Sequence, residues 1–313
     1  MKLLTIIVNY KTAEMTIRAI RSLMTELAGI PGARAVVVDN DSQDGSHDRI
    51  AQAITEEGWS DRVTLLASGH NGGFGYGNNV GIRHGLESSD PPEYLYLLNS
   101  DAFPDPGSIR ALVGFLDAHP EAGIAGSYIH GPDGDPHQTS FRFPTAVSEF
   151  EAGLRLGVVS KLLRSWIVPL PIPTSAQQVD WLAGASMMIR RDVLRTVGLF
   201  DETFFLYFEE TDLCRRAQGE GWATYFVPES SVAHIGSVST GMKDTKRRTP
   251  SYWFASRRHY FLKNHGRRYL WAANAAFVVG FSLWRVRRRV QGKPDPDRPS
   301  FLSDFIRYNL LHP

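Results

Sequence analysis

The sequence predicts an α/β fold with a mostly parallel central sheet and helices on both faces, and three observations predict it. Short aliphatic runs at 3–8 (LLTIIV), 35–38 (AVVV), 63–66 (VTLL) and 94–98 (YLYLL) have the composition of strands buried on both faces. Helix-length segments, including 12–28 and 74–88, separate them, so strand and helix alternate to about residue 125. The runs end in Asn9, in Asp39, in Asn71, and in Asn99 with Asp101. Polar groups at the carboxyl ends of the strands are where doubly wound sheets hold ligands.

Composition narrows the class. With 313 residues, 42% hydrophobic and 21% charged, the chain is globular rather than disordered or fibrous. A single cysteine, Cys214, excludes an internal disulfide framework and multi-cysteine zinc or iron–sulfur sites, and points to a reducing compartment. The net charge of +1 hides an asymmetry, because residues 243–293 carry fourteen Lys/Arg against one acid, Asp244. The basic tail and the acidic remainder therefore need separate explanations.

MKLLTIIVNY runs into Lys11, Thr12 and Glu14 without a cleavage site and is expected to be a first strand, not a secretory signal. The apolar stretch from Tyr269 to Trp284 includes Asn274 and Ser282 and falls short of the roughly 20 residues that span a bilayer. Arg267, Arg268 and Arg285 to Arg289 bracket it, with Tyr269, Trp271 and Trp284 at its ends. Two readings fit: attachment to a membrane surface, or a C-terminal helix packed on the body.

In the middle of the chain, Gly/Pro-rich turns over 126–178 surround one apolar segment, 150–168, which suggests an irregular, acceptor-shaping insertion. Regularity returns with an apolar run from Trp181 to Ile189, a helix from Arg191 to Val197 and a helix from about Thr211 to Glu220 that stops at Gly221. A strand-like 223–227 follows, then the basic region, a linker at 293–300 and an amphipathic segment at 301–311. The expected division is 1–125, 126–242 as the second half of the same domain, and a helical extension at 243–313.

Four segments carry chemistry. In VDNDSQDGS (38–46), Asp39 closes a strand, where a carboxylate can accept a base imide hydrogen or bind a ribose hydroxyl, or can make an Asx turn before 46–57. GHNGGFGYGNNVG (69–81) permits close backbone approach to a ligand. It has neither the Lys-Ser/Thr ending of a Walker loop nor dehydrogenase spacing, and Asn78 and Asn79 follow it. LYLLNSDAFPDPGSI (95–109) sets Asn99 and Asp101 two positions apart, where oxygen ligands can share Mg²⁺ or Mn²⁺; alternatively, Asp101 is a turn residue before Pro104 and Pro106. FFLYFEETD (204–212) puts Glu209, Glu210 and Asp212 beyond an aromatic run. There a carboxylate can be a shielded general base or simply satisfy a helix dipole. His234 could complete a cation site or be a structural histidine.

Taken in order, VNY, VDNDSQDGS, NGGFGYGNN, LLNSD and the G-L-F-D-E…F-L-Y-F-E-E-T-D-L-C-R-R segment resemble the inverting family 2 glycosyltransferases of the GT-A fold, especially the bacterial rhamnosyltransferase-like branch. The resemblance spans about residues 3–240. It implies that Asp39 binds the base and that Asn71, Gly72 and Gly73 lie near the diphosphate, with Asn9, Tyr10, Asn79, Asn99 and Ser100 also on the donor side. Asp101 is then the metal-binding acid of the family's D-x-D, with Asn99 replacing its first Asp, and His234 joins the metal site. Glu210 stands where an Asp usually acts as catalytic base, and Glu209 is the next candidate. A free Glu, with an ordinary pKa of about 4.3, is ionised at neutral pH. Both departures keep an oxygen donor or a carboxylate in place.

The implied reaction moves a sugar, foremost L-rhamnose from dTDP-L-rhamnose and next a UDP-sugar, to a hydroxyl of a bacterial glycan or lipid-linked acceptor, with inversion. No covalent intermediate is involved, so Cys214 reads as core. Expected partners are the nucleotide-diphospho-sugar donor, the acceptor, an anionic membrane surface and a second copy of the chain. The expected location is the cytoplasm, peripheral on the inner face of its membrane. One rival is a sugar-phosphate nucleotidyltransferase, which calls for a basic glycine loop where this chain has VNYKTAEMT. Another is a nucleic-acid binder using Tyr252, Trp253, Phe254, Tyr260 and Phe261 among the basic residues, which leaves the acidic strand ends unexplained, so no nucleic acid is expected.

Overall fold

A computed structural model describes residues 1–236 and 246–311. The first half alternates as expected: β1 (Leu3–Asn9), α1 (Ala13–Leu27), β2 (Arg34–Asp39), α2 (Ser46–Glu56), β3 (Val63–Ala67), α3 (Gly73–Leu86) and β4 (Tyr94–Asn99). β1 runs parallel to β2 and β4, and β2 parallel to β3. Asn9 is opposite Asp39, and Asp39 opposite Ala67, so the carboxyl ends are level. Ile6, Ile7, Val37 and Leu97 have no exposed surface, the condition the uninterrupted aliphatic runs anticipate.

The second half follows as β5 (Ala102–Pro104), α4 (Ser108–Ala118), β6 (Ala122–His130), β7 (Ser140–Phe141), α5 (Ala146–Leu154), α6 (Gly157–Leu162), β8 (Gln177–Val179), β9 (Trp181–Leu182), β10 (Ser186–Arg190), α7 (Arg191–Val197), α8 (Glu209–Gly219) and β11 (Ala223–His234). The main sheet has the order β3-β2-β1-β4-β10-β6-β11-β5, with β8 added on β11. β10 is antiparallel to β4 and β6, which makes the sheet mixed.

Four details differ from the sequence reading. The run from Trp181 to Ile189 is broken at Gly184 into β9 and β10, and α8 begins at Glu209, which places both Glu209 and Glu210 in its first turn. The strand at 223–227 continues through a register shift to His234. β6 also begins before the stretch read as irregular, and its small residues conceal it: a Cβ on Gly126 would lie 2.7 Å from Leu182, and one on Gly123 2.6 Å from Val193. Close packing there favours residues that carry no hydrophobic signal.

The C-terminal elements are α9 (Ser251–Val290) and α10 (Phe301–Ile306), the latter running into a π-turn at Arg307–Leu311. Gly266, with φ +82°, divides α9 into two arms. The first arm buries Tyr260 and Phe261 with Phe204, while the second crosses α5 where Gly153 and Gly280 meet. A Cβ on Gly280 would sit 2.5 Å from the Phe150 carbonyl, a backbone approach that only glycine allows. Arg257 is buried, paired with Glu149 at 2.7 Å, bonded to Asn274 and Asn309, and stacked on Phe261 and Phe305. Its inner face therefore matches the packed-helix reading. No helix among the described residues is long and apolar enough to cross a membrane. The division expected at 242/243 falls outside the described residues.

Candidate active site

The level strand ends gather the polar residues, and hydrogen bonds fix their roles. Asn9 is fully buried; its Nδ2 donates to Asp39 Oδ1 at 2.7 Å and to Ser42 Oγ at 3.1 Å. Its Oδ1 accepts from Thr12 and Thr16. With its hydrogen-bonding groups engaged inside the protein, Asn9 orients Asp39. Asp39 Oδ1 also accepts from Ser42 Oγ at 2.6 Å, while among the described residues Oδ2 accepts only the Ser42 backbone N–H, at 3.2 Å. Asp39 thus bonds the backbone three residues on, at Ser42, and Oδ2 keeps acceptor capacity for a ligand. Tyr10 follows at the strand end, half-buried, with the Lys11 ammonium 5.1 Å from its ring centroid.

The glycine loop is held from two sides. Asn40 Nδ2 donates to Asn71 Oδ1 and to the Gly73 carbonyl, each at 3.0 Å, and Asn71 Oδ1 accepts the Gly73 N–H. Gly73 has φ +88°, and a Cβ there would fall 1.7 Å from the Phe205 carbonyl oxygen. Phe74 N–H donates to that same oxygen. Gly72 lies under the Tyr76 ring, where a Cβ would come within 2.4 Å. The loop thus reaches the aromatic segment that leads into α8. Asn79 is placed elsewhere: fully buried, it exchanges bonds with the Phe200 backbone and Glu202, fixing the turn at 200–202.

At the end of β4, Asp101 Oδ1 lies 3.1 Å from His234 Nε2, and Asn99 Nδ2 lies 3.4 Å from the same nitrogen. β11 delivers His234 through its pairing with Ala102 on β5. Burial pushes the Asp101 carboxyl up, but the hydrogen bond and charge of His234, with backbone N–H groups, outweigh it and hold it below its ordinary value. Ser100 is buried 3.3 Å from Thr12 Oγ1, across to the start of α1. A carboxylate, an imidazole and an amide at one point form a donor set suited to a divalent cation. No group of three or more His, Cys, Asp or Glu among the described residues is arranged to hold a metal ion by itself.

Glu210 joins this edge through the backbone. Asn99 N–H donates to the Ala185 carbonyl at 3.0 Å, and the adjacent Gly184 N–H donates to Glu210 Oε1 at 3.1 Å. Glu209 is buried with Oε2 unpartnered. Burial, then the neighbouring Glu210 charge, raises its carboxyl well above the ordinary range; burial also raises Glu210, against the Gly184 and Glu210 N–H groups. Glu210 Oε1 accepts the Gly184 N–H, whereas Glu209 Oε2 has no hydrogen-bond partner among the described residues, so the two carboxyl groups differ in environment. Asp212 is wholly buried and faces away, bonded to Arg216, Lys263 and Asn264. Cys214 is buried, and burial pushes its thiol up to about 12, consistent with a core role.

Sequence reasoning missed Asn40, Ser42 and Gly184. The first two sit in VDNDS and are detectable as amide and hydroxyl beside Asp39. Nothing in WLAGAS marks Gly184, because its role depends on a side chain twenty-six positions away.

Known proteins agree with this architecture. The model of the family described as "Glycosyltransferase like family 2" matches residues 2–267. An N-acetylglucosaminyl-diphospho-decaprenol L-rhamnosyltransferase of Mycobacterium tuberculosis is 30% identical over 221 residues, covering 66% of this chain and 67% of that protein. The low-salt glycan biosynthesis hexosyltransferase Agl10 of Haloferax volcanii is 30% identical over 216 residues, covering 69% and 61%. The mannosyltransferase PcManGT from Pyrobaculum calidifontis, solved with GDP-Man and Mn²⁺, superposes with a TM-score of 0.54 at 14% identity, covering 98% and 85%. That last likeness concerns the fold.

Proposed function

The chain belongs to glycosyltransferase family 2 and has its GT-A fold, and from that premise we propose that it transfers L-rhamnose from dTDP-L-rhamnose, with inversion, to a hydroxyl of a lipid-linked or other bacterial glycan acceptor. The observation that carries the reading is the backbone link from Asn99 through Ala185 and Gly184 to Glu210, which brings a carboxylate to the strand edge holding Asp101 and His234. The rhamnosyl donor and a lipid-linked acceptor follow the M. tuberculosis relative. A UDP-sugar is the second reading of the donor.

Asp39, oriented by Asn9 and Ser42, would accept from the base or ribose through Oδ2. Asp101 and His234, with Asn99, would hold Mg²⁺ or Mn²⁺, which when bound neutralises charge on the departing diphosphate. Glu210 takes the proton of the acceptor hydroxyl as that oxygen attacks the anomeric carbon from the face opposite the nucleoside diphosphate. The proton ends on the Glu210 carboxylate, and the C–O bond to the diphosphate breaks. Gly184 aims Glu210.

The test is a sugar-nucleotide screen with and without Mn²⁺, reading thermal stabilisation and release of nucleoside diphosphate. dTDP-L-rhamnose should stabilise the protein most and yield dTDP. Preference for a UDP-sugar would select the second reading. Release of pyrophosphate, or no response to any sugar nucleotide, would overturn the proposal.

A further inference from the structure

The inner face of α9 is accounted for by packing, but its outer face is not. Along the second arm, Trp271, Ala275, Val279, Leu283, Val286 and Val290 are exposed, Val279 at 51%, Leu283 at 52% and Val290 at 83%. At about 100° per residue these six fall within an arc of about 120°, opposite the buried positions Ala273, Phe277, Gly280 and Trp284. A surface helix normally presents charge there. This one presents an apolar stripe about 28 Å long, at 1.5 Å per residue, with Arg267, Arg285 and Arg289 along one border. None of these three arginines has an ion pair among the described residues, unlike Arg257, Lys263 and Arg288, which the fold consumes.

Further apolar surface lies near both ends of the stripe. At the amino end, a groove of about 240 Å³ is lined by Arg258, Leu262, Arg267, Leu270 and Trp271, combining two guanidinium groups with apolar walls. At the other end, Arg287 donates to the carbonyls of Leu154 and Arg155 and so holds the start of α6 beside the last turns. α6 exposes Val158 at 68% and Leu162 at 78%.

We propose that this outer face of α9, with α6, is a docking surface for an anionic lipid bilayer. Charge complementarity selects that occupant. Apolar side chains in one arc enter the acyl boundary, and the bordering arginines meet acidic headgroups, as in helices that lie in the interfacial plane. A protein partner of matched shape would not require three unpaired cations beside the apolar stripe. The inference is independent of which sugar nucleotide the active site takes.

The experiment is flotation of the full chain with vesicles of phosphatidylcholine alone and of phosphatidylcholine with phosphatidylglycerol, alongside light scattering without lipid. The chain should float with the anionic vesicles at low salt and be released by about 0.5 M NaCl, where the Debye length is only several ångströms. Arg267→Glu with Arg285→Glu should weaken binding at least about tenfold, since each basic residue near an anionic surface contributes appreciably. Val279→Glu with Leu283→Glu should do the same, and Val286→Glu with Val290→Glu repeats the test at the helix end, where folding is least at risk. Each variant should keep the far-ultraviolet spectrum and the stabilisation by sugar nucleotide of the parent. Failure of the parent to float, or variants that float equally well, would overturn the proposal. So would a dimer that the Glu variants dissociate, which would assign the face to a second copy of the chain.

Discussion

Gly184 and Glu210 meet at 3.1 Å because position 184 has no Cβ; one placed there would lie 2.7 Å from Glu210 Oε1 and 3.0 Å from the Phe74 ring. The movable partner is the carboxylate, so Gly184→Ala should displace the proposed base without unfolding the protein. We expect kcat to fall by about 10²-fold, the scale of a misplaced catalytic group, with donor binding unchanged. Glu210→Gln should lower transfer by at least about 10²-fold while sugar nucleotide still stabilises the protein. Activity that survives the change would move the base elsewhere. Because burial raises the Glu210 carboxyl, and only its ionised form accepts a proton, the acid limb of the rate profile should lie above that of an ordinary Glu. Glu209 is read through stability instead. Its folded pKa is raised above that of a free Glu, so its contribution is intact below the free value and is lost as pH rises towards the folded pKa. Glu209→Gln should remove that slope from the melting temperature; an unchanged slope would mean that Glu209 titrates normally.

Between elements, two contacts tie the C-terminal helix to the second half of the main fold. Lys263 bridges Asp201 and Asp212 at 2.8 Å each, joining the turn before the aromatic segment to the body of α8. Asp212 is fully buried, so Lys263→Met leaves its carboxylate to Arg216 and Asn264 and should cost about 1–3 kcal/mol in denaturant unfolding. The crossing of α5 and α9 is set by Gly153 and Gly280, where backbone meets backbone. Gly280→Ala forces the helices apart and should cost about 1–3 kcal/mol, with faster amide exchange in α5. Exchange confined to chain ends would contradict that placement.

For the whole molecule, the charge asymmetry resolves into two uses of the same basic segment. Arg257, Lys263 and Arg288 neutralise acids, while Arg267, Arg285 and Arg289 border the apolar stripe. Truncation after Asn264 removes Asn274 and Asn309, leaving the buried Arg257 with Glu149 as its remaining hydrogen-bond partner. It also removes Phe277, Phe281 and Phe305 from the cluster around Phe254. The loss of paired burial should exceed about 3 kcal/mol, so the truncated chain should lose cooperative melting. A soluble fragment with the parent's melting temperature would show instead that the second arm is dispensable.

The sequence by itself determined the parallel half of the sheet, because aliphatic runs buried on both faces have few alternatives, and it determined which motifs end those strands. It also placed Asp39, Asp101 and His234 among the candidates through residue type and order. Tertiary structure alone decided that Asn79 pins the 200–202 turn, that Asn9 orients Asp39, and that Glu209 and Glu210 differ although they are adjacent and chemically alike. It also decided which cations of the tail are consumed by the fold and which remain outside. Strand identity is carried by local hydrophobic pattern, but the state of a carboxylate or guanidinium is set by neighbours from distant parts of the chain, through burial and hydrogen bonds that no local pattern records.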